Sequence, residues 1–391
     1  MEFEHIRKLV VEKINAEATI SDDELKSLIV DVVSQYYAGK KVSVNKRFEI
    51  SKSIFDSIRG LDVLQKLIED ESITEIMING PDNIFIEKDG KIVKSNERFT
   101  SKEKLTDIIQ IIVAKANRRV NDVTPIVDTR LPGGDRVNVV LDPIAINGPV
   151  VTIRKFLNNA IDMDYLLSVG SITREAALFL KKLVVSGYNI FVSGSTGSGK
   201  TTFLNILSNY IPREERIITI EDSAELKILN NDNLVSLEVR QANTEGKNEI
   251  TIRDLIKSSL RMRPDRIIVG EIRGAEALDM LQAMNTGHDG SLSTGHANSP
   301  ADMLTRIETM VLMGADIPLA AVKSQIASAI DIIVHLGRMK DKSRKVLEID
   351  EIEGMKDGEI VINPLFTYND GLKATGKALV NDKKLRIYGE G

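Results

Sequence analysis

The chain has 391 residues, enough for two or three domains of about 150 residues, each with a buried core. With 42% hydrophobic and 28% charged residues, it has the composition of a globular protein, which excludes disordered and collagen-like chains. The net charge of −5 offers no overall attraction to nucleic acid, and the lack of cysteine excludes disulfides and favours a reducing, cytoplasmic location. No run approaches 18 apolar residues, so we expect any membrane contact to be peripheral.

Residues 1–60 predict a small helical extension. Apolar residues recur at helical spacing, first from Ile6 to Ile14 and again from Leu25 to Val32. Ser21, followed three residues later by Glu24, forms a capping box that would start the second helix.

Residues 61–157 predict a mixed α/β domain. Asp89-Gly90 separates two strand-like segments and is a strong hairpin signal. Thr100 with Glu103 predicts the start of a helix with apolar positions from Leu105 to Ile112.

Three arginines follow on strand-like segments of this domain, and they predict an arginine-bearing sheet edge: Arg130, Arg136 and Arg154. The polar, poorly patterned residues 158–164 then predict a linker.

Residues 165–391 predict a second α/β domain. Short β-branched segments alternate with helical stretches, which indicates βαβ units around a buried, mostly parallel sheet. From about residue 346 the alternation gives way to a predicted β-meander appendage. The predicted strands are NIFVS, RIITIE, LVSLEV, RIIVGE and IIVHLG, and the predicted helices lie near 173–186, 200–210, 251–262, 274–285 and 299–329.

A phosphate-binding loop is the strongest functional signal in the chain. The sequence GSTGSGKT between the strand at 189–193 and the helix at 200–210 fits G-x-x-x-x-G-K-[ST] at every position. Its amides would surround the phosphates of ATP, Lys200 would bridge the β- and γ-phosphates, and the Thr201 hydroxyl would coordinate Mg²⁺. The predicted nucleotide-binding residues of the loop are Gly194, Ser195, Thr196, Gly197, Ser198, Gly199, Lys200, Thr201 and Thr202.

Two acids end predicted neighbouring strands and would converge on the γ-phosphate. Glu271 ends a buried strand where P-loop enzymes keep an acid linked to metal or water, with Gly270 in the place of the usual aspartate. Glu221 ends another strand, and parallel strands finish at the same sheet edge. Spacing leaves open which acid takes the proton of water.

His296 lies in a glycine-rich stretch that predicts a switch sensing the γ-phosphate, and His288 lies in the same stretch. Five arginines are predicted to crowd the same sheet edge, where they would neutralise a triphosphate or reach a neighbouring site. They are Arg240, Arg261, Arg263, Arg266 and Arg273.

Together these motifs resemble the ATPases of type II and type IV secretion systems and type IV pili, which have Walker A, Asp-box, Walker B and His-box motifs in this order. The longer segments look most like the CpaF type, the motor of tight-adherence pili. Gly295 departs from that pattern, because a larger residue often precedes the histidine. The motifs are GSTGSGKTT, TIED, MRPDRIIVGEIRGA, LQAMNTGHDG and TGHANSP.

The resemblance implies a RecA-like P-loop core and a homohexameric cytoplasmic motor. It would hydrolyse ATP between domains and subunits and drive pilin extrusion or retraction through an inner-membrane platform protein. Glu221 matches the acid that activates water, Glu271 the Walker B acid and His296 the His-box residue. Arg130, Arg136 and Arg154 match arginines that approach the phosphates.

A hexameric nucleic-acid translocase with the same core is the main alternative. The net charge and an aromatic content of 4% argue against it. A GTP-binding switch would need an N-K-x-D motif, which is absent from the sequence. A non-hydrolysing subunit would lack one of the two strand-end acids, but both are present.

Overall fold

The computed structural model describes residues 2–14, 20–88, 90–155, 161–240, 242 and 247–388. The chain divides into two compact units, Met1–Asn158 and Asn159–Gly391. No helix in these described ranges is both long enough and apolar enough to cross a membrane.

The amino-terminal unit begins with helices, of which the first three bury their apolar faces in one shared core and the fourth packs its leucines into the core of the sheet. The predicted capping box of the second helix is confirmed: the Ser21 side chain accepts a hydrogen bond from the Glu24 N–H, and the Glu24 carboxylate accepts one from the Ser21 N–H. The helices are α1 (Glu2–Ile14), α2 (Asp22–Tyr36), α3 (Val44–Ile58) and α4 (Val63–Glu69).

A six-stranded antiparallel sheet, in the order β3-β2-β1-β6-β5-β4, completes this unit. Helix α5 (Lys102–Lys115) buries its apolar positions in the core formed with the strands. The strands are β1 (Ile73–Asn79), β2 (Ile84–Lys88), β3 (Lys91–Lys94), β4 (Ile126–Arg130), β5 (Arg136–Val140) and β6 (Val150–Arg154).

The predicted hairpin is confirmed, because β2 and β3 pair antiparallel with Lys88 opposite Lys91. Asp89 lies outside the described residues. The predicted start of α5 at Thr100 is wrong by one residue: Ser101 is the N-cap, since its side chain accepts a hydrogen bond from the Lys104 N–H.

The carboxy-terminal unit contains a nine-stranded sheet in the order β15-β14-β13-β12-β7-β11-β10-β8-β9. The six strands from β12 to β9 are parallel, which confirms the predicted parallel sheet. Strands β13 to β15 add antiparallel pairs in the segment predicted as a β-meander, but the end of that segment, Lys383–Tyr388, is helical. The strands are β7 (Ile190–Gly194), β8 (Ile217–Glu221), β9 (Leu234–Glu238), β10 (Arg266–Val269), β11 (Leu292–Gly295), β12 (Ile332–Arg338), β13 (Arg344–Lys356), β14 (Glu359–Tyr368) and β15 (Leu372–Ala374).

Helices cover both faces of this sheet and bury two apolar cores. Helix α6 begins inside the segment 158–164 predicted as a linker, whose residues 158–160 lie outside the described ranges. The helices are α6 (Met163–Ser168), α7 (Arg174–Val185), α8 (Lys200–Ser208), α9 (Ile252–Ser259), α10 (Glu276–Asn285), α11 (Pro300–Gly314), α12 (Leu319–Ala329) and α13 (Lys383–Tyr388).

The helix predicted at 299–329 and strand β11 also differ from the sequence-based prediction. The single helix predicted at 299–329 is two helices, α11 and α12, because Ala315 is extended and Pro318 stands just before α12. Strand β11 was not among the predicted elements, since its sequence LSTG has no apolar pattern. Ser293 and Thr294 are nevertheless fully buried, and their hydroxyls donate to the backbone oxygens of Val269 and Gly270.

Candidate nucleotide-binding site

The loop of residues 195–199 joins β7 to α8 at the carboxyl edge of the parallel strands. Gly194, the residue just before the loop, lies where no side chain fits, since a Cβ there would lie 2.4 Å from the Leu336 carbonyl oxygen. Gly199 ends it in the left-handed conformation, with φ +95°, directly before the first turn of α8. The backbone therefore curls tightly in front of a helix N-terminus, the geometry that binds phosphate.

Lys200 is the first residue of α8, and its side chain is buried under this loop. The residue is 6% exposed. Its Nζ donates to the Ser195 carbonyl oxygen at 3.1 Å and lies 3.2 Å from His296 Nδ1, so both contacts are with neutral groups. Burial lowers the pKa of Lys200, while Glu271 acts in the opposite direction. An anion at the loop would stabilise this desolvated ammonium.

His296 connects Lys200 to Glu271. An ammonium group only donates, so His296 Nδ1 accepts from Lys200 and the ring proton lies on Nε2, 2.8 Å from Glu271 Oε1. Burial lowers the pKa of His296, which keeps the imidazole neutral. Arg273 holds the other Glu271 oxygen at 2.8 Å and reaches Asp222 at 3.6 Å. The structure thus brings Lys200, His296, Glu271 and Arg273 of the predicted site into one chain of contacts.

Glu221 ends β8 and is 3% exposed. Its Oε1 accepts hydrogen bonds from the backbone N–H groups of Glu225 and Leu226, at 2.9 and 3.1 Å. The neighbouring strand brings Gly270 against it, where a Cβ would lie 3.0 Å from Glu221 Cγ. The glycine in place of the usual aspartate is therefore the residue that leaves room for Glu221.

Strand β11 places His296 beside the phosphate-binding loop, because Gly295 is paired with Ser193 of β7. A Cβ at Gly295 would lie 2.7 Å from Met303 Cε and 3.0 Å from Phe191 Cε1. These two side chains fill the space that a larger residue before the histidine would need, which explains the departure from the motif.

The prediction that five arginines share this edge is wrong for three of them. Arg261 and Arg263 precede β10 and Arg266 is its first residue, so they lie at the amino edge, opposite the phosphate-binding loop. Arg266 is 4% exposed and forms an ion pair with Glu215. The chain direction decides the edge, because residues before and after a parallel strand lie at opposite ends of the sheet.

Arg240 and Arg273 do lie at the carboxyl edge, and both line one cavity of about 450 Å³ beside Asp222. Arg240 Nε also donates to the Asn248 carbonyl oxygen at 2.7 Å. His288 precedes β11 at the amino edge, with Nδ1 3.2 Å from the Ala283 carbonyl oxygen. A phosphate-sensing role for His288 is therefore wrong, and its contact is with the end of α10.

In the amino-terminal unit, Arg130, Arg136 and Arg154 stand directly opposite one another on β4, β5 and β6. Directly paired residues share a sheet face, so the three arginines form a row, with Glu75 of β1 next to Arg154. Three arginines directly opposite one another concentrate positive charge at one place on the sheet. We call these three residues the arginine row.

The sequence did not predict a role for the turn between β12 and β13, which reaches the phosphate-binding loop. Arg344 Nε donates to the Gly197 carbonyl oxygen at 3.0 Å. Beside it, Tyr165, Phe203 and Val346 help line a cavity of about 260 Å³ that also includes Thr202. The basic segment RMKDKSRK at 338–345 is the sequence signal that could have indicated this contact.

Magnesium fits the groups present at this edge. Thr201 lies in the first turn of α8, next to Lys200, and Glu271 and Asp222 follow neighbouring strands. In the described part of the chain, no three or more histidine and acidic side chains cluster as a protein-only metal site. Mg²⁺ in nucleotide enzymes is held mainly by phosphate oxygens and water, with few protein ligands, so this arrangement is compatible with it.

Comparison with known proteins identifies the family. The model of the type II/IV secretion system protein family matches residues 58–370. The chain is 34% identical to the conjugal transfer protein TrbB of Rhizobium radiobacter over 76% of this chain and 88% of that protein. It is 31% identical to the type IV secretion system protein PtlH of Bordetella pertussis, covering 75% of this chain and 95% of that protein.

A solved structure shows the fold. The pilus retraction motor PilT with bound ADP matches 84% of this chain and 86% of its own, with a TM-score of 0.53 and 19% identity. The predicted α/β fold with a RecA-like core is confirmed. The chain belongs to the type II/IV secretion system protein family.

Proposed function

We propose that this protein is a Mg²⁺-dependent ATPase that works as a homohexameric motor of the CpaF type. The observation that carries the proposal is the buried Lys200 under a tight glycine-containing loop, linked through the neutral His296 to Glu271. A desolvated ammonium beside a helix N-terminus is suited to the β- and γ-phosphates of ATP. The 260 Å³ cavity beyond Thr202 has the apolar and aromatic lining that suits the nucleoside.

Each of the described side chains would have its own role around the γ-phosphate. Mg²⁺, when bound, would neutralise phosphate charge, with Thr201 and Glu271 as its nearest protein groups. Lys200 would exchange its contact with His296 for phosphate oxygens, and His296 would then be free to respond to the γ-phosphate. Glu221 is held rigidly by two amides and would orient the attacking water. Arg240 and Arg273 would balance the negative charge at the same edge.

The arginine row would act on the phosphates from the amino-terminal domain, across the domain cleft or from a neighbouring subunit. In this proposal residues 1–60 are an extension, 61–157 the amino-terminal domain and 165–391 the ATPase domain. Rotation of one domain against the other would drive pilin extrusion or retraction through an inner-membrane platform protein. The motor would thus be cytoplasmic and peripheral at that membrane. The similarity to relatives named for conjugal transfer and type IV secretion supports the proposal that this protein works within a larger transport machine.

The proposed activity is tested by phosphate release from Mg–ATP by purified wild type, Lys200→Ala and the control Lys373→Ala. Lys373 is exposed on β15, away from the loop. We expect Lys200→Ala to lose several orders of magnitude of activity and the control to match wild type. Wild-type phosphate release by Lys200→Ala would contradict the assignment.

The proposed assembly is tested by native mass measurements with and without a non-hydrolysable ATP analogue and Mg²⁺. We expect a hexamer with the analogue. Single- and double-stranded DNA are added to the ATPase assay at moderate salt. Strong stimulation by DNA would favour the nucleic-acid translocase instead, because nucleic-acid motors couple hydrolysis to the strand they bind.

A further inference from the structure

The hairpin of β12 and β13 contacts the phosphate-binding loop at its start and in its middle. Leu336 of β12 is paired with Gly194, and its carbonyl oxygen lies where a side chain at that position would be. Arg344, the first residue of β13, donates its Nε–H to the Gly197 carbonyl oxygen at 3.0 Å. Arg344 Cδ also lies close to Gly199, 3.4 Å from where a Cβ would be. The Arg344 side chain therefore lies across the loop.

The backbone that carries Arg344 is fixed on both sides. Within the turn, the Ser343 N–H and hydroxyl both donate to Asp341 Oδ1, at 2.9 and 2.6 Å. After the turn, the Ser171 hydroxyl donates to the Arg344 carbonyl oxygen at 2.7 Å, and the Val346 N–H donates to the Ser171 carbonyl oxygen at 2.9 Å. A side chain that starts from an ordered backbone can hold a neighbouring group at a defined position.

The peptide between Gly197 and Ser198 is the group that Arg344 holds. Gly197 has φ +74° and no side chain, so rotation of this peptide meets little steric resistance. The C=O and N–H groups of a trans peptide point in opposite directions, so the Arg344 bond to the carbonyl also sets the direction of the Ser198 N–H. That N–H lies 3.3 Å from the Ser195 carbonyl oxygen, which is longer than most such hydrogen bonds. The amides of such a loop bind an anion only when they point into it.

We propose that Arg344 is a positioning residue, which holds the Gly197–Ser198 peptide in the orientation that binds phosphate. It acts through the loop backbone and not on the reacting atoms. The hydrogen bond matters more than the positive charge, because the Nε–H contacts a neutral carbonyl group. This inference rests on the proposed binding of ATP at the loop, but it concerns the phosphate chain alone. It therefore applies equally to a polyphosphate that has no nucleoside.

The test compares two substitutions that both remove the charge of Arg344. Glutamine Nε2 is as many bonds from Cα as arginine Nε, so Arg344→Gln keeps a donor for the Gly197 carbonyl oxygen. Arg344→Met keeps an unbranched chain of similar reach and removes the donor. Lys340→Met is the control for the loss of a positive charge, because Lys340 is exposed in the same turn and does not line the cavity. Arg344 is also exposed, and thermal unfolding checks that each variant is folded, with Arg344→Ala as the substitute if Arg344→Met is not.

Each full-length variant is titrated by calorimetry with Mg–ATP and, separately, with inorganic tripolyphosphate and Mg²⁺. Phosphate release from ATP gives kcat and KM. We expect Arg344→Met to weaken the binding of both ligands about tenfold, the effect of one net hydrogen bond. Its KM should rise by a similar factor with little change in kcat, because the loop binds the phosphates before and during the reaction. Arg344→Gln should stay within about twofold of wild type, and Lys340→Met should match wild type.

Equal weakening in Arg344→Gln and Arg344→Met would overturn the proposal, because the charge would then be the effective part. Unchanged tripolyphosphate binding in Arg344→Met would overturn it whether or not ATP binding weakens, since Arg344 would then not act on the phosphates. A wild type that does not bind tripolyphosphate would overturn it as well. If Lys200→Ala keeps wild-type phosphate release, the ATPase assignment fails, and the tripolyphosphate titrations still decide whether Arg344 positions the loop.

Discussion

Gly270 and Glu221 are in contact at the carboxyl ends of neighbouring strands, where the missing Gly270 side chain makes room for the carboxylate arm of Glu221. The Glu221 carboxylate is fixed by two backbone amides, so the arm has little freedom to move aside. An aspartate at position 270, as in the usual motif, would displace it. The two strand-end acids of this protein are thus Glu221 and Glu271, and the residue directly before Glu271 is a glycine instead of a third carboxylate.

We predict that Gly270→Ala lowers kcat about tenfold and leaves ATP affinity nearly unchanged. The added methyl group must push Glu221 by a few tenths of an ångström, and positions of reacting groups are sensitive at that scale. Steady-state ATPase kinetics check this. Gly133→Ala is the control, because its Cβ would lie 4.0 Å from the nearest atom. Equal activity of the two variants would show that Glu221 tolerates displacement.

Glu271→Gln should lower kcat by about 10²- to 10³-fold, while the variant binds Mg–ATP at least as tightly as wild type. The new side-chain amide would present a hydrogen-bond donor to the Arg273 guanidinium. The loss of the negative charge beside Lys200 would leave the ammonium group available to bind phosphate, and this favours ATP binding. Binding is measured by calorimetry and turnover by phosphate release. The exposed Glu353→Gln is the control. A kcat equal to that of wild type would argue against this placement of Glu271.

Arg136→Ala and Arg154→Ala should each slow turnover about tenfold with a KM for ATP within about twofold of wild type. Side chains that stabilise charge only in the transition state lower kcat and leave ground-state binding intact. Arg98→Ala, an exposed arginine of the same unit, serves as the control. A parallel loss of affinity and rate would place the arginine row in ground-state binding instead.

Asp350 provides a prediction on stability. It is 3% exposed, and burial, together with Glu348, raises its pKa to about 7. A raised pKa in the folded state stabilises the protein at low pH, and that contribution is lost as pH rises from about 4 to 7. Asp350→Asn cannot ionise, so its stability relative to wild type should rise by about 4 kcal/mol between pH 4 and pH 8.

Urea unfolding of both proteins at several pH values measures this difference. Asp370→Asn, in an exposed turn, is the control and should follow the wild-type curve. A difference between Asp350→Asn and wild type that does not change with pH would show that Asp350 is already ionised in the folded protein.

Local signals made much of this protein predictable. The glycines of the phosphate-binding loop, the capping box at Ser21 and the β-branched strands each depend on residues close in sequence. Periodicity and turn chemistry are short-range effects, so these features could be read directly. The β12–β13 turn contact through Arg344 and the buried hydroxyls of β11 have no such local signal, because their partners are distant in the chain.

The sequence by itself determined the type of fold, the phosphate-binding loop and the acids at the ends of β8 and β10. Only the tertiary structure decided that Arg266 and His288 lie at the opposite edge and that Gly270 gives Glu221 its space. The reason is physical: which side chains meet depends on strand order and register, and both are set by packing between segments that are distant in the sequence.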